Sequence, residues 1–197
     1  MSAGYRRRRI RRTHEGRYEL RLPPGEREIL AQLPQALSAV LSSAEDGPAA
    51  APELVRLFPP AYYDDPQAER SYREVVHSDL VAHHKAALDA LAATVEAKDL
   101  DEEQVSSWLD VLNDVRLVLG TTLGVTEEGP PALDDEVDAA RYALYGYLSL
   151  LVEQIVEAVS SALPPPVPGA DEHAPEDPWG EPPEGLRWST PGAPPEP

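Results

Sequence analysis

Cysteine is absent from all 197 residues, and that gap removes disulfides, thiolate metal sites, cysteine nucleophiles and thiol redox switches together. Long apolar runs are absent as well. The longest uncharged apolar one, residues 142–152, lies between Arg141 and Glu153 and is about half the ~20 residues that a hydrocarbon layer demands. No apolar segment follows the N-terminal arginines as it would in a secretory signal, so a cytoplasmic, non-membrane protein is expected. Signatures of catalysis are missing too. Gly120, Gly124 and Gly129 stand apart without the Lys-Ser/Thr of a phosphate loop, and no serine sits in a nucleophile elbow. The expectation is a non-enzyme with no cofactor and no metal.

Positive charge is scarce, and it is segregated. Nine of the seventeen basic residues fall in the first 27 positions against three acids, which leaves eight bases against 32 acids in the remainder of a chain with net charge −18. Arg6, Arg7, Arg8, Arg9, Arg11 and Arg12 form the densest cluster. A field this uneven repels anions over most of the surface and attracts them at one place. These six arginines are therefore the candidate contact to nucleic acid or to an acidic partner. Six charges suffice for steeply salt-dependent phosphate binding, but no helix-turn-helix with a basic recognition helix and no zinc finger accompanies them.

Periodicity organises the rest. Residues 17–22 alternate, with Tyr18, Leu20 and Leu22 on one face, and His14-Glu15-Gly16 supplies a turn to a partner strand over residues 10–13, whose arginines confine it to an edge. A helix begins near Glu26 on the stripe Ile29, Leu30, Leu33, Leu37, Val40 and Leu41, with a kink expected at Pro34. A short helix is expected over residues 53–58, stopped by Pro59-Pro60. Asp64-Asp65-Pro66 starts a long helix carrying Tyr72, Val76, Leu80, Ala87, Leu91 and Val95. Asp101 and Gln104 make a capping box for a helix bearing Val105, Trp108, Leu109, Leu112, Val115, Val118 and Leu119, which closes near Gly120 or Gly124. The last helix carries Leu144, Leu148, Leu151, Ile155, Val159 and Leu163 and ends at Pro164. The expected fold is mainly α: an antiparallel bundle of four main helices and one short one, with an N-terminal β-hairpin. Residues 1–9 read as a basic arm, 10–163 as the helical domain, and 164–197, with 12 of the 22 prolines and the isolated Trp179 and Trp188, as a disordered tail.

Inside that frame the ionisable residues read mostly as structure. The pairs Asp64/Asp65, Glu102/Glu103 and Asp134/Asp135 sit at helix starts, where acids favour the positive end of the dipole. His77, His83 and His84 come close together, and His77 and His84 share a helix face near Glu74, but their seven-residue spacing skips the three or four of a helical metal pair, so a titratable face is the better reading than a ligand set. Asn113, Asp114 and Arg116 place charge within an apolar helix, and Arg141 opens the apolar part of the next. Charges beside a core must be paired, so Asp114 is expected to join Arg116 or Arg141 in a structural polar network.

Four strings carry a resemblance: RYELRLPPGEREIL at 17–30, LVRLFPPAYYDDPQAERSY at 54–72, WLDVLNDVRLVLGTTLGV at 108–125 and RYALYGYLSLLVEQIV at 141–156. Together, over about residues 10–163, they resemble an actinobacterial family long known as a domain of unknown function and named for the oxidative-stress transcription regulator AosR. The resemblance implies a small helical protein acting in stress-responsive transcription through a sigma factor or RNA polymerase, near genes for a protease adaptor and for sulfur-carrier cysteine synthesis. One departure matters. The redox mechanism proposed for that family uses a cysteine pair, and this chain has none, so a direct thiol switch does not transfer.

The leading expectation is thus a regulatory interaction protein that holds a protein partner through its helical surface. Two alternatives stand beside it. One is an adaptor or regulator in chaperone-dependent proteolysis, suggested by the gene neighbours. The other is a small-molecule enzyme with a cleft around Asp114, Arg116 and Arg141.

Overall fold

A computed structural model describes residues 8–43, 52–127 and 135–162 of the chain. Arg6 and Arg7, the tail from Pro164, and Trp179 and Trp188 within it lie outside the described residues. Within them the protein is mainly helical, with four long helices and a small three-stranded antiparallel sheet. No helix among the described residues is long and apolar enough to cross a membrane.

The sheet grows from the alternating N-terminal segment. Strand β1 (Ile10–Arg12) pairs antiparallel with β2 (Tyr18–Leu20), setting Ile10 opposite Leu20 and Arg12 opposite Tyr18. Gly16 at φ 80° makes the turn, where an L side chain would be strained. A third strand was not foreseen. Strand β3 (Asp99–Leu100) adds to the other edge of β2, with Tyr18 opposite Leu100 and Glu19 opposite Asp99. Two residues carry no alternation, and only the tight connection between two helices delivers them to the sheet.

Helix α1 (Pro24–Ser43) starts at a proline, whose fixed φ suits a first turn, and it continues through Pro34. Leu30, Leu33, Leu37 and Leu41 are buried, while Ile29 stays exposed. The short helix expected over residues 53–58 reduces to a single 3₁₀ turn, Pro52–Leu54. The turn that follows, closed by the Leu57 and Phe58 amides donating to the Leu54 carbonyl at 2.9 and 3.0 Å, buries Leu54, Leu57 and Phe58.

Helix α2 (Pro66–Thr94) is capped by Asp65, which accepts from the amides of Gln67 and Ala68 at 3.0 Å. Its buried positions are Val81, His84, Ala87, Leu88 and Leu91. Its first half has no buried position, although Leu80 packs against the core, and the expectation that Tyr72 belongs to the buried stripe is corrected. Helix α3 (Glu102–Thr122) opens on the Asp101/Gln104 capping box. It closes on Gly124 at φ 62°, where the Leu123, Gly124 and Val125 amides turn back to the carbonyls of Leu119, Thr121 and Gly120. Helix α4 (Glu136–Ser160) is capped by Asp135 and buries Leu148, Leu151 and Ile155.

Helix α3 occupies the centre. It packs on α2 and α4, α1 packs on α2, and β1 lies against α4. Trp108, fully buried on α3, donates its indole N–H to Thr94 Oγ1 at 2.8 Å. The apolar residues of helices and sheet form one contiguous core.

Candidate functional site

The described arginines of the N-terminal cluster are tied to the body. Arg8 forms an ion pair with Glu157 on α4. Arg9 engages Glu26 of α1 through Nε, 2.7 and 3.0 Å from the two carboxylate oxygens, and through Nη2 at 2.7 Å. The Arg9 and Ile10 amides both donate to the side-chain oxygen of Gln154, at 2.6 and 3.3 Å, so a buried polar residue of α4 anchors the start of β1. Arg9 is thus part of the domain and not of an arm ending at residue 9. The reason is local: β1 needs an acceptor for its leading amides, and Gln154 is buried beside it.

Glu26 is the hub of this corner. It also accepts from the Tyr147 hydroxyl at 2.9 Å. The Arg9 guanidinium holds the Glu26 carboxyl below its ordinary range, while burial opposes that shift. Burial, with the carboxylate as a second cause, pushes the Tyr147 phenol upward. The Arg9 guanidinium is itself raised, chiefly by its hydrogen bond to Glu26.

Arg11 is neutralised in a different way. It lies 3.1 Å from Glu19, which Arg21 also approaches at 2.9 Å, and these two guanidinium groups lower the Glu19 carboxyl, Arg21 more than Arg11. Arg17 pairs with Asp99, stitching β2 to β3. Arg12 differs, because its Nε is buried with no hydrogen-bond partner. It lines an open groove of about 310 Å³ together with Arg11, Thr13, His14 and Ser161. Of the six arginines expected to contact nucleic acid or an acidic partner, Arg8, Arg9 and Arg11 each face a carboxylate of the protein itself.

Asn113, Asp114, Arg116 and Arg141 do not join in one network, and their partners differ from those expected. Asp114 meets neither Arg116 nor Arg141. It pairs with His84 of α2, Oδ2 to Nδ1 at 2.5 Å, and both side chains are about nine-tenths buried. Arg116 turns to Asn113 at 2.9 Å, and Arg141 reaches Asp138 at 3.1 Å on the exposed first turns of α4. Helix geometry explains the correction, since residues two apart point to opposite sides while those three apart are neighbours. His83, next along the helix, lies on the exposed side, 3.5 Å from Asp110. Burial raises the Asp110 carboxyl, and the charge of His83 opposes the rise.

His77 and His84 do share a face. Both pack on Phe58, with ring centroids at 5.2 and 5.6 Å, His84 edge-on. No group of three or more His, Asp or Glu side chains arranged to hold a metal is found among the described residues.

The feature that the sequence left unread is the free half of α2. Tyr62, Tyr63, Tyr72 and Val75 are 49, 78, 41 and 72% exposed, and the Tyr62 and Tyr72 rings meet at 6.1 Å. Glu69 holds the adjoining loop by accepting the Ala61 and Tyr62 amides at 2.9 and 3.0 Å, and it pairs with Arg73 one turn on. The Tyr62 amide, first among several donors, lowers the Glu69 carboxyl.

With this geometry in view, comparison with known proteins shows that the chain belongs to a family described as a domain of unknown function, DUF2017, which matches residues 7–159. No curated protein matches it. No solved structure matches it either.

Proposed function

We propose that this protein is a non-enzymatic regulator associated with stress-responsive transcription, and that it works by binding a protein partner, a sigma factor or an RNA polymerase subunit. The observation that carries the binding role is the aromatic patch on the free half of α2. Monomeric proteins rarely leave contiguous apolar surface exposed without a use for it, and tyrosine is enriched where proteins meet. Tyr72 and Val75, three residues apart, share a helix face, and the Tyr62 ring against Tyr72 extends it.

The choice of partner rests on the resemblance to the AosR family. The ionisable groups of the central helices support a structural use, since Asp114 and Arg116 are consumed by His84 and Asn113. Contact with an anionic group, of the partner or of nucleic acid, falls to Arg12 and its groove and to Arg6 and Arg7.

Affinity purification of the full chain from its native host, followed by mass spectrometry, tests this function. A sigma or polymerase subunit should be enriched by the natural chain and lost from a Tyr72→Asp/Val75→Asp variant that retains its fold. Enrichment of a chaperone-protease adaptor instead would transfer the case to proteolysis. Failure to enrich either kind of partner would remove the proposed role.

A further inference from the structure

Beneath the aromatic patch lies a pocket. It has a volume of about 150 Å³ and is walled by Phe58 and Pro59 on one side and by Glu69, Tyr72, Arg73, Val76 and His77 of α2 on the other. That volume matches a cavity able to take one benzene-sized group, and it is too small for a nucleotide or a large cofactor. Leu80 extends the apolar wall, so most of the lining is carbon.

Glu69, Arg73 and His77 bring polar groups to this lining. Arg73 donates through Nε to Glu69, but its Nη1 is buried and meets no acceptor. Glu69 is already engaged, with one oxygen on Arg73 Nε and the other on the Ala61 and Tyr62 amides. A guanidinium in a protein keeps its charge and donates only, and its strongest partner is a carboxylate. His77 lies on the same wall and packs on Phe58.

We propose that this pocket binds a small apolar monocarboxylate, whose ring or branched chain lies among Phe58, Tyr72 and Val76 and whose carboxylate meets Arg73. Phe58 is the shared wall, because its ring bears on His84 as well as on His77. The occupant therefore braces the junction between the 58–63 loop and the buried His84–Asp114 pair.

The test uses the full-length purified chain and is independent of any macromolecular partner. Benzoate and isovalerate are titrated against benzyl alcohol, a neutral match for benzoate, with binding read from NMR shifts. Both acids should give saturable shifts at Phe58, Tyr72 and His77, with benzyl alcohol weaker by about tenfold or more, a gap of ~1.4 kcal/mol. Arg73→Leu should erase the preference for acid, and Val76→Trp, which fills the pocket, should abolish binding of all three. Absence of saturable shifts with either acid overturns the proposal, and so does equal binding of benzoate and benzyl alcohol. The comparison of acid with alcohol is made on the unmodified chain, so it decides the matter even if Arg73→Leu fails to fold.

Discussion

His84 on α2 and Asp114 on α3 meet through Nδ1 and Oδ2 at 2.5 Å, each side chain about nine-tenths removed from solvent. Two other polar contacts join the same helices, Trp108 to Thr94 at 2.8 Å and the more exposed His83–Asp110 pair at 3.5 Å, and buried Ala87, Leu88, Leu91, Val111 and Val115 lie on these two helices as well. Deleting one partner of the buried His84–Asp114 pair leaves a buried polar group unsatisfied, whereas replacing both with apolar groups can be neutral. Asp114→Ala should therefore destabilise by about 3–5 kcal/mol, and His84→Leu/Asp114→Leu should recover most of that loss. Urea denaturation of the two variants checks the prediction. Equal losses would show that bulk, and not polarity, sets the contribution of this contact.

The Arg9–Glu26–Tyr147 cluster carries a pH dependence with a definite sign. Because the folded Glu26 carboxyl lies below its value in the unfolded chain, its contribution is fully present above the unfolded pKa of about 4.3. It is lost as the pH falls through the lower folded value. Glu26→Gln should lower stability near neutrality by about 1–3 kcal/mol, the range for a hydrogen bond to a charged group. It should also flatten the loss of stability below about pH 4. Melting curves between pH 3 and 7 for both proteins give the comparison, and parallel profiles would count against Glu26 as an acid-sensitive tie.

The same cluster separates two arginines that the sequence offers as equals. Arg8 and Glu157 are both more than half exposed, and surface pairs contribute only about 0–1 kcal/mol. Arg8→Ala should leave the melting temperature almost unchanged. Arg9→Ala should cost about 1–3 kcal/mol, because Glu26 stays mostly buried with only Tyr147 beside it. A larger loss from Arg8→Ala than from Arg9→Ala would reverse the assignment.

Two glycines should respond in opposite directions. Gly124 sits at φ 62° at the end of α3, where an L residue costs about 1–2 kcal/mol. Gly146 lies inside α4 with open space where a Cβ would stand, and alanine there should gain up to about 1 kcal/mol. Chemical denaturation of Gly124→Ala and Gly146→Ala should move the midpoint down and up respectively.

Local patterns made much of this fold readable, and long-range pairing set the limit. The Asp65 cap, the Asp101/Gln104 box and the alternation at Tyr18 and Leu20 are signals contained within a few residues, and each appears where the pattern puts it. Strand β3 is a product of what its two residues meet, since Asp99 and Leu100 become a strand only against Glu19 and Tyr18. The candidate site divides the same way. Asp114 announces its need for a partner, but the charged neighbours in sequence, Arg116 and Arg141, draw attention from a histidine 30 residues back. The usable signal was spacing: His84 stands three and seven residues from Ala87 and Leu91, and Asp114 three from Val111, so both fall on the apolar stripes of their helices.

The free half of α2 should also behave differently from its buried half. Residues 66–80 contain no buried position, whereas Val81, His84, Ala87, Leu88 and Leu91 line the core. Helical hydrogen bonds without tertiary cover open at low free energy, and those within a packed core open only with the whole domain. The first half is held by the Asp65 cap, by the Glu69 contacts to the Ala61 and Tyr62 amides, and, toward its end, by Phe58 against His77 and Leu80 against the core. Hydrogen exchange should thus be fast from Gln67 to about Val75 and slow from His84 to Leu91. Asp65→Ala, a cap loss of about 1 kcal/mol, should speed exchange in the first half and leave the second unchanged. Uniform protection along the helix would mean that α2 opens as one unit, and the aromatic patch would then be as rigid as the core.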